Sequence, residues 1–201
     1  MKKTLWIASV ALIVGVAAAA VFERSGRPAP ANGEVSERVA QQLQQKIDAV
    51  KKAKNTAAEH RLQTVEVTEA ELESYVLYRL RDDIPARIDS INVQLTPGAI
   101  AADTQLTFSP NSTGNTLVDT LLSGTHNLFI KGKLSGANHE GRFELDQVKV
   151  DGIPVPKLLI ETLIKKYVKP KYPEVDLTEP FELPWNIDRI TIEEGKAVIA
   201  Y

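Results

Sequence analysis

The sequence predicts an α+β domain in which a curved antiparallel sheet wraps an apolar helix, and three observations predict it. Between Ile91 and Val150, apolar residues alternate with polar ones in long runs, the period of strands with one buried face. Turn pairs punctuate those runs: Pro97-Gly98, Asp151-Gly152 and Glu194-Gly195. Third, the segment after Pro156 carries Leu159, Ile160, Leu163, Ile164, Tyr167 and Val168 over about half a helix circumference, against the ~100° stripe of an ordinary surface helix. Such a helix needs a partner that surrounds it, and a bent sheet supplies one.

The chain has 201 residues and a formal net charge of −2. Length fits one ordinary domain with a small appendage. The near balance of charge removes the basic footprint of a nucleic-acid binder. No cysteine is present, which excludes disulfides, thiol chemistry and a lipidated cysteine.

Residues 1–22 place Lys2 and Lys3 ahead of an apolar run from Leu5 to Phe22, the layout of an export signal. Two readings stand. Ala-x-Ala registers within Ala17 to Ala20 suit cleavage. A retained anchor is the other reading, because residues 4–22 come close to the roughly 20 apolar residues that span a bilayer. Either one puts Glu23 onward outside the cytoplasm, with the lysines inside. Expected localisation is therefore exported, periplasmic or extracytoplasmic, with the inner membrane as the anchoring site.

Residues 23–35 are rich in Pro, Gly and small side chains and read as a flexible linker. Residues 36–63 read as an amphipathic helix capped by Ser36, with Val39, Leu43, Ile47 and Val50 at helical spacing. That stripe is narrow, so the expectation is a solvated helix resting lightly on the domain, or one that docks a protein partner of the cell envelope.

The compact domain is expected over 64–201. Thr68-Glu69-Ala70-Glu71 spells a capping box. The helix it opens carries Leu72, Tyr75, Val76, Arg79 and Leu80 on one face, and it ends before Pro85. A hairpin follows, with Ile91, Val93 and Leu95 facing Ile100, Ala102, Leu106 and Phe108. The next strand sets His126, Leu128, Ile130 and Leu134 on one side. Its partner has Phe143 and Leu145 on odd positions, then Val148 and Val150 on even ones. This parity switch predicts a bulge near Asp146-Gln147. A final hairpin runs through Ile187 to Tyr201.

Catalytic motifs are missing from the pattern. His60, His126 and His139 are scattered, with no metal-ligand spacing, and neither a Gly-x-Ser-x-Gly elbow nor a phosphate-binding glycine loop occurs. The expectation is a non-enzyme with no cofactor and no metal.

Element order, together with VTEAELESYV, GKLSG followed by GRFELDQVKVDGIPVPKLLIETLI, and LPWNIDRITIEEGKAVIAY, resembles the bacterial tubular lipid-binding (TULIP-like) proteins, nearest the actinobacterial lipomannan-elongation factor type. The likeness covers Thr64 to Tyr201. It implies lipid acyl chains, or another hydrophobic ligand, in a seam between helix and curved sheet. By position, the helix side of that seam is Leu159, Leu163, Ile164 and Tyr167. The sheet side is Ile91, Val93, Leu128, Ile130, Phe143 and Leu145. Lys165, Lys166, Lys169 and Lys171 would then meet lipid headgroups at a membrane surface, at ~1 kcal/mol per lysine near an anionic leaflet. As ordinary helix-end chemistry, the same lysines complement the macrodipole before Pro170 stops the helix.

Overall fold

The structure is a computed structural model, and it describes residues 34–53, 62–81, 86–108, 124–163, 165 and 179–201. The signal or anchor and most of the linker lie outside these. Among the described residues, no helix is long and apolar enough to cross a membrane.

The elements run as helix α1 (Glu37–Ala53), strand β1 (Thr64–Thr68), helix α2 (Glu69–Arg79), β2 (Arg87–Thr96), β3 (Ala99–Phe108), β4 (Gly124–Ala137), β5 (Glu140–Val150), β6 (Ile153–Pro154), helix α3 (Lys157–Leu163), β7 (Phe181–Glu182), a 3-10 turn (Pro184–Asn186), β8 (Arg189–Glu193) and β9 (Lys196–Ala200). All the strands join one antiparallel sheet. Its main path is β1-β9-β8-β4-β3-β2, and β5 pairs with β4, β6 and β7. The fold is α+β, as the alternation predicts.

Local chemistry sets most of the register. Pro97 and Gly98 make a two-residue turn that pairs Thr96 with Ala99, and Gly98 takes the positive φ of 74° such a turn needs. Asp151 and Gly152 both have positive φ, 48° and 83°, which closes a tight hairpin from Val150 to Ile153. The predicted bulge is present. Lys131 pairs with Gln147, the next residue, Gly132, pairs with Leu145, and Asp146 is the extra one. That insertion keeps Phe143, Leu145, Val148 and Val150 on one face despite their change of parity.

The inner face of the sheet follows from the pairing. Val93, Ala102, Ile130 and Val148 form one cross-strand row, and Ile91, Thr104, Leu128, Val150 and Ile153 form the next. One end of this face packs under α1 and α2 as the main cluster, which includes Leu43, Val67, Tyr75, Val76, Val93, Leu95, Ile100, Leu134 and Phe143. A smaller cluster of Ile130 and Val148, with Leu128, Leu145, Val155 and Ile160, occupies the other.

Helix α2 is the bracket that holds these parts together. Its capping box forms as predicted: Glu71 N–H donates to Thr68 Oγ1 at 3.3 Å, and Thr68 N–H donates to Glu71 Oε2 at 3.0 Å. The apolar face is narrower than expected, because Arg79 is exposed while Glu71 and Glu73 are buried. Those glutamates have partners. Strand β2 is one edge of the sheet, and its outward amides go to α2: Val93 N–H donates to Glu73 Oε1 and Leu95 N–H to Glu69 Oε1, each at 2.7 Å. A bare edge invites pairing with other chains, and here a helix covers it.

Two expectations about helices are corrected. Residues 37–53 are not a lightly resting, solvated helix: Val39, Ala40, Leu43 and Val50 are buried against the domain. Nor is the described helix after Pro156 enclosed by the sheet. It has two turns, with Leu158 76 % and Leu159 49 % exposed, and Ile160 packs on the smaller cluster. The reason is competition for the inner face, whose larger apolar area is already taken by α1 and α2.

Truncating Glu73→Ala is expected to cost about 1–3 kcal/mol, because the Val93 amide is left buried without an acceptor. Glu73→Gln keeps an acceptor and is expected to cost less. Urea unfolding of the two variants checks the order.

Asp151 in the β5–β6 turn gives a pH signature. His126 Nδ1 bonds its Oδ2 at 2.7 Å, and Asn127 N–H donates to Oδ1 at 2.8 Å. The His126 bond first, then the Asn127 bond, hold the carboxyl below its ordinary value. A folded value below the unfolded one means stability that is present above the unfolded pKa and lost as pH falls through the folded one. An NMR titration should show Asp151 titrating below the usual carboxylate range, and closer to it in His126→Phe.

Candidate functional site

The site is an apolar cavity between the helix pair and the sheet, lying mainly over β1, β9 and β8 and reaching Leu95, Ile100 and Leu134 of β2, β3 and β4. The register builds its floor. Val65 pairs with Ile199, which pairs with Ile190. Val67 pairs with Ala197, which pairs with Ile192. Side chains opposite one another in a sheet share a face, and all of these line the cavity. Leu43, Ile47 and Val50 of α1 form the roof, one helical turn apart. Leu72 and Tyr75 of α2 close one side, and Phe181, Leu183 and Trp185 close another.

Trp185 reaches its place through an unusual backbone. It and Asn186 adopt left-handed φ values of 56° and 61°. For a bulky residue that conformation costs about 1–3 kcal/mol, and the surrounding packing has to hold it. Pro184, buried just ahead, fixes the turn, and Ile187 N–H donates to the Pro184 carbonyl. The indole then stands with Lys51 Nζ 5.1 Å from its ring centroid.

Polar groups around the cavity are turned to one another. Lys46 contributes its aliphatic stem to the wall. Its ammonium donates to the Glu66 carbonyl at 2.7 Å and pairs with the buried Glu71 carboxylate at 2.7 Å. Tyr75 Oη donates to Gln44 Oε1 at 3.0 Å. What remains facing inward is hydrocarbon and aromatic ring. The cavity measures about 140 Å³. An apolar cavity of about 150 Å³ stays dry and accepts benzene, so this one takes about six carbons.

The sequence-predicted seam is placed elsewhere. Ile91, Val93 and Phe143 are packed in the main cluster, and Leu128, Ile130 and Leu145 belong to the smaller one. None of these sheet residues lines the cavity. Leu159 is half-exposed and also outside it. Leu163 ends α3. Ile164 and Tyr167 lie outside the described residues, as do Lys166, Lys169 and Lys171. Lys165 is described and exposed. Sequence reasoning missed the roof residues Leu43, Ile47 and Val50 and the wall residue Trp185. The signals were the narrow α1 stripe, read as resting lightly on the domain, and Trp185, which stands just ahead of the last hairpin in LPWNIDRITIEEGKAVIAY.

Among the described residues, no group of His, Cys, Asp or Glu is arranged to hold a metal. No protein-family model matches this chain, and no curated protein matches it.

Filling the cavity tests its dryness. Ala197→Leu adds carbon atoms from the floor and is expected to stabilise the delipidated full chain by about 0.5–2 kcal/mol. Thermal unfolding checks the sign: a loss of stability would mean that the space is already occupied by protein atoms.

Proposed function

We propose that this is an exported or membrane-anchored envelope protein that binds a lipid or other hydrophobic ligand between its helices and its sheet. One observation carries the reading: a cavity walled by apolar side chains, whose neighbouring polar groups are satisfied among themselves. Such a site performs no proton transfer or nucleophilic attack. It removes hydrocarbon from water, at ~0.8 kcal/mol per methylene.

Magnitude defines the occupant. About six carbons gain on the order of 5 kcal/mol, close to the lower end of the ~4–15 kcal/mol that association costs. A free six-carbon ligand therefore binds weakly. The end of a longer acyl chain, whose remainder lies on other apolar surface, binds usefully. The TULIP-like resemblance belongs to this proposal, with one change: the helix gripped against the sheet is α1, and the seam shifts with it. Exposed Leu158 and Leu159 beside Lys157 and exposed Lys165 support contact of that end of the molecule with an anionic membrane surface.

The alternative, an adaptor that docks an envelope protein through residues 36–63, is less well supported. It needs Leu43 and Ile47 free for a partner. Leu43 is 4 % exposed and Ile47 packs on the same cluster, so α1 uses that face on its own domain.

The test uses two readouts on the full chain. Fluorobenzene, followed by fluorine NMR, should bind saturably, and Ala197→Leu should abolish that binding. Mass spectrometry of a solvent extract should find acyl lipid in the wild type and at least several-fold less in the variant. A chain that binds no fluorobenzene and carries no lipid ends the proposal.

A further inference from the structure

The two buried side-chain polar atoms without a hydrogen-bond partner, among the described residues, are Thr104 Oγ1 and His126 Nε2. They belong together. Thr104 pairs with Leu128 and Leu106 pairs with His126, so Thr104 and His126 are diagonal neighbours across β3 and β4, on the inner face. Diagonal neighbours sit roughly 7–8 Å apart, and closer at Cβ. Side chains at that spacing on one face are near enough to meet a common partner. Thr104 is fully buried. Leaving such groups unpaired costs about 1–3 kcal/mol each, a standing penalty that a packed structural core would remove with valine and leucine.

The chemistry of the pair is defined by Asp151. An ionised carboxylate only accepts, so the bond between Asp151 Oδ2 and His126 Nδ1 places the ring proton on Nδ1. In the neutral ring, Nε2 is then a bare acceptor. The Thr104 hydroxyl is free to donate. Together they ask for one group that donates to a nitrogen and accepts from a hydroxyl, and an alcohol O–H does both.

The surroundings define the rest of the ligand. From Thr104 the row continues through half-buried Leu128 and Val150 to Ile153, which is 70 % exposed. Phe108 lies beside the imidazole, with ring centroids 6.4 Å apart. The row is thus apolar from its exposed end at Ile153 up to the two buried, unpartnered polar atoms.

We propose that Thr104 and His126, oriented by Asp151, form a binding site for the hydroxyl group of an amphiphile whose hydrocarbon lies along Leu128, Val150 and Ile153. This site is separate from the cavity under α1 and shares no lining residue with it.

The test compares two isomers, 1-octanol and 1-methoxyheptane, with the same atoms and chain length. The ether accepts a hydrogen bond but donates none. Calorimetric titration of the full chain should show 1-octanol binding at least ten-fold more tightly. In Thr104→Val, which is isosteric and keeps the fold, that preference should fall below about three-fold. Nitrogen NMR of the His126 ring should show Nε2 moving with 1-octanol and not with the ether. Equal affinity for the isomers, or a preference that Thr104→Val leaves intact, overturns the site. So does the absence of any 1-octanol binding, which would leave only water to meet these atoms. Ala197→Leu should not alter the isomer preference, so a failure here is distinguishable from a failure of the α1 cavity.

Discussion

The structure depends on how the open edge of β2 is closed. A sheet edge presents amides that need acceptors, and Glu69 and Glu73 of α2 supply them to Leu95 and Val93. Those bonds fix α2 in height and rotation against the sheet. Everything above the sheet is then referenced to α2. Glu71 on the same helix anchors Lys46 of α1, Ser74 accepts from the Ser36 amide, and Tyr75 reaches Gln44. The roof of the cavity is therefore held by polar contacts at its margin, and its underside is free to be hydrocarbon.

This division of labour explains how a domain keeps an apolar void. A cavity under a helix costs the contacts its lining lacks, and a roof held by hydrophobic packing alone would collapse to recover them. Here the salt bridge of Lys46 with Glu71 and the Lys51–Trp185 contact brace α1 from outside. The left-handed turn at Trp185 also belongs to the brace, since it carries the indole that lines the cavity and meets Lys51. The inner face of the sheet is thereby divided. The end under α1 and α2 holds the cavity, and the other carries the smaller cluster with its buried Thr104 and His126.

The strands were legible because their signals are local. Alternation gave Ile91, Val93 and Leu95 a common face, Pro97-Gly98 set the hairpin register, and a change of parity between Leu145 and Val148 placed a bulge near Asp146-Gln147. The capping box at Thr68 was legible for the same reason, since its four residues contain both halves of the interaction. The candidate site was not. Most of its floor comes from β1, β8 and β9, which meet only after the chain has returned across the sheet. The sheet-side seam residues inferred from resemblance, Ile91, Val93, Leu128, Ile130, Phe143 and Leu145, are inner-face residues, but packing rather than position decides which part of that face stays empty.

By itself, the sequence determined the α+β class, the hairpins, the caps and the face each strand side chain takes, because periods of two and 3.6 residues and turn chemistry act over a few residues. Tertiary structure decided which helix covers the sheet. The narrow stripe on residues 37–53 looked as if it would rest lightly on the domain, and the one after Pro156 looked broad enough to demand enclosure. Burial is settled by the area a partner offers, not by the width of a stripe. The inner face accepted the helix that α2 had already tethered to it.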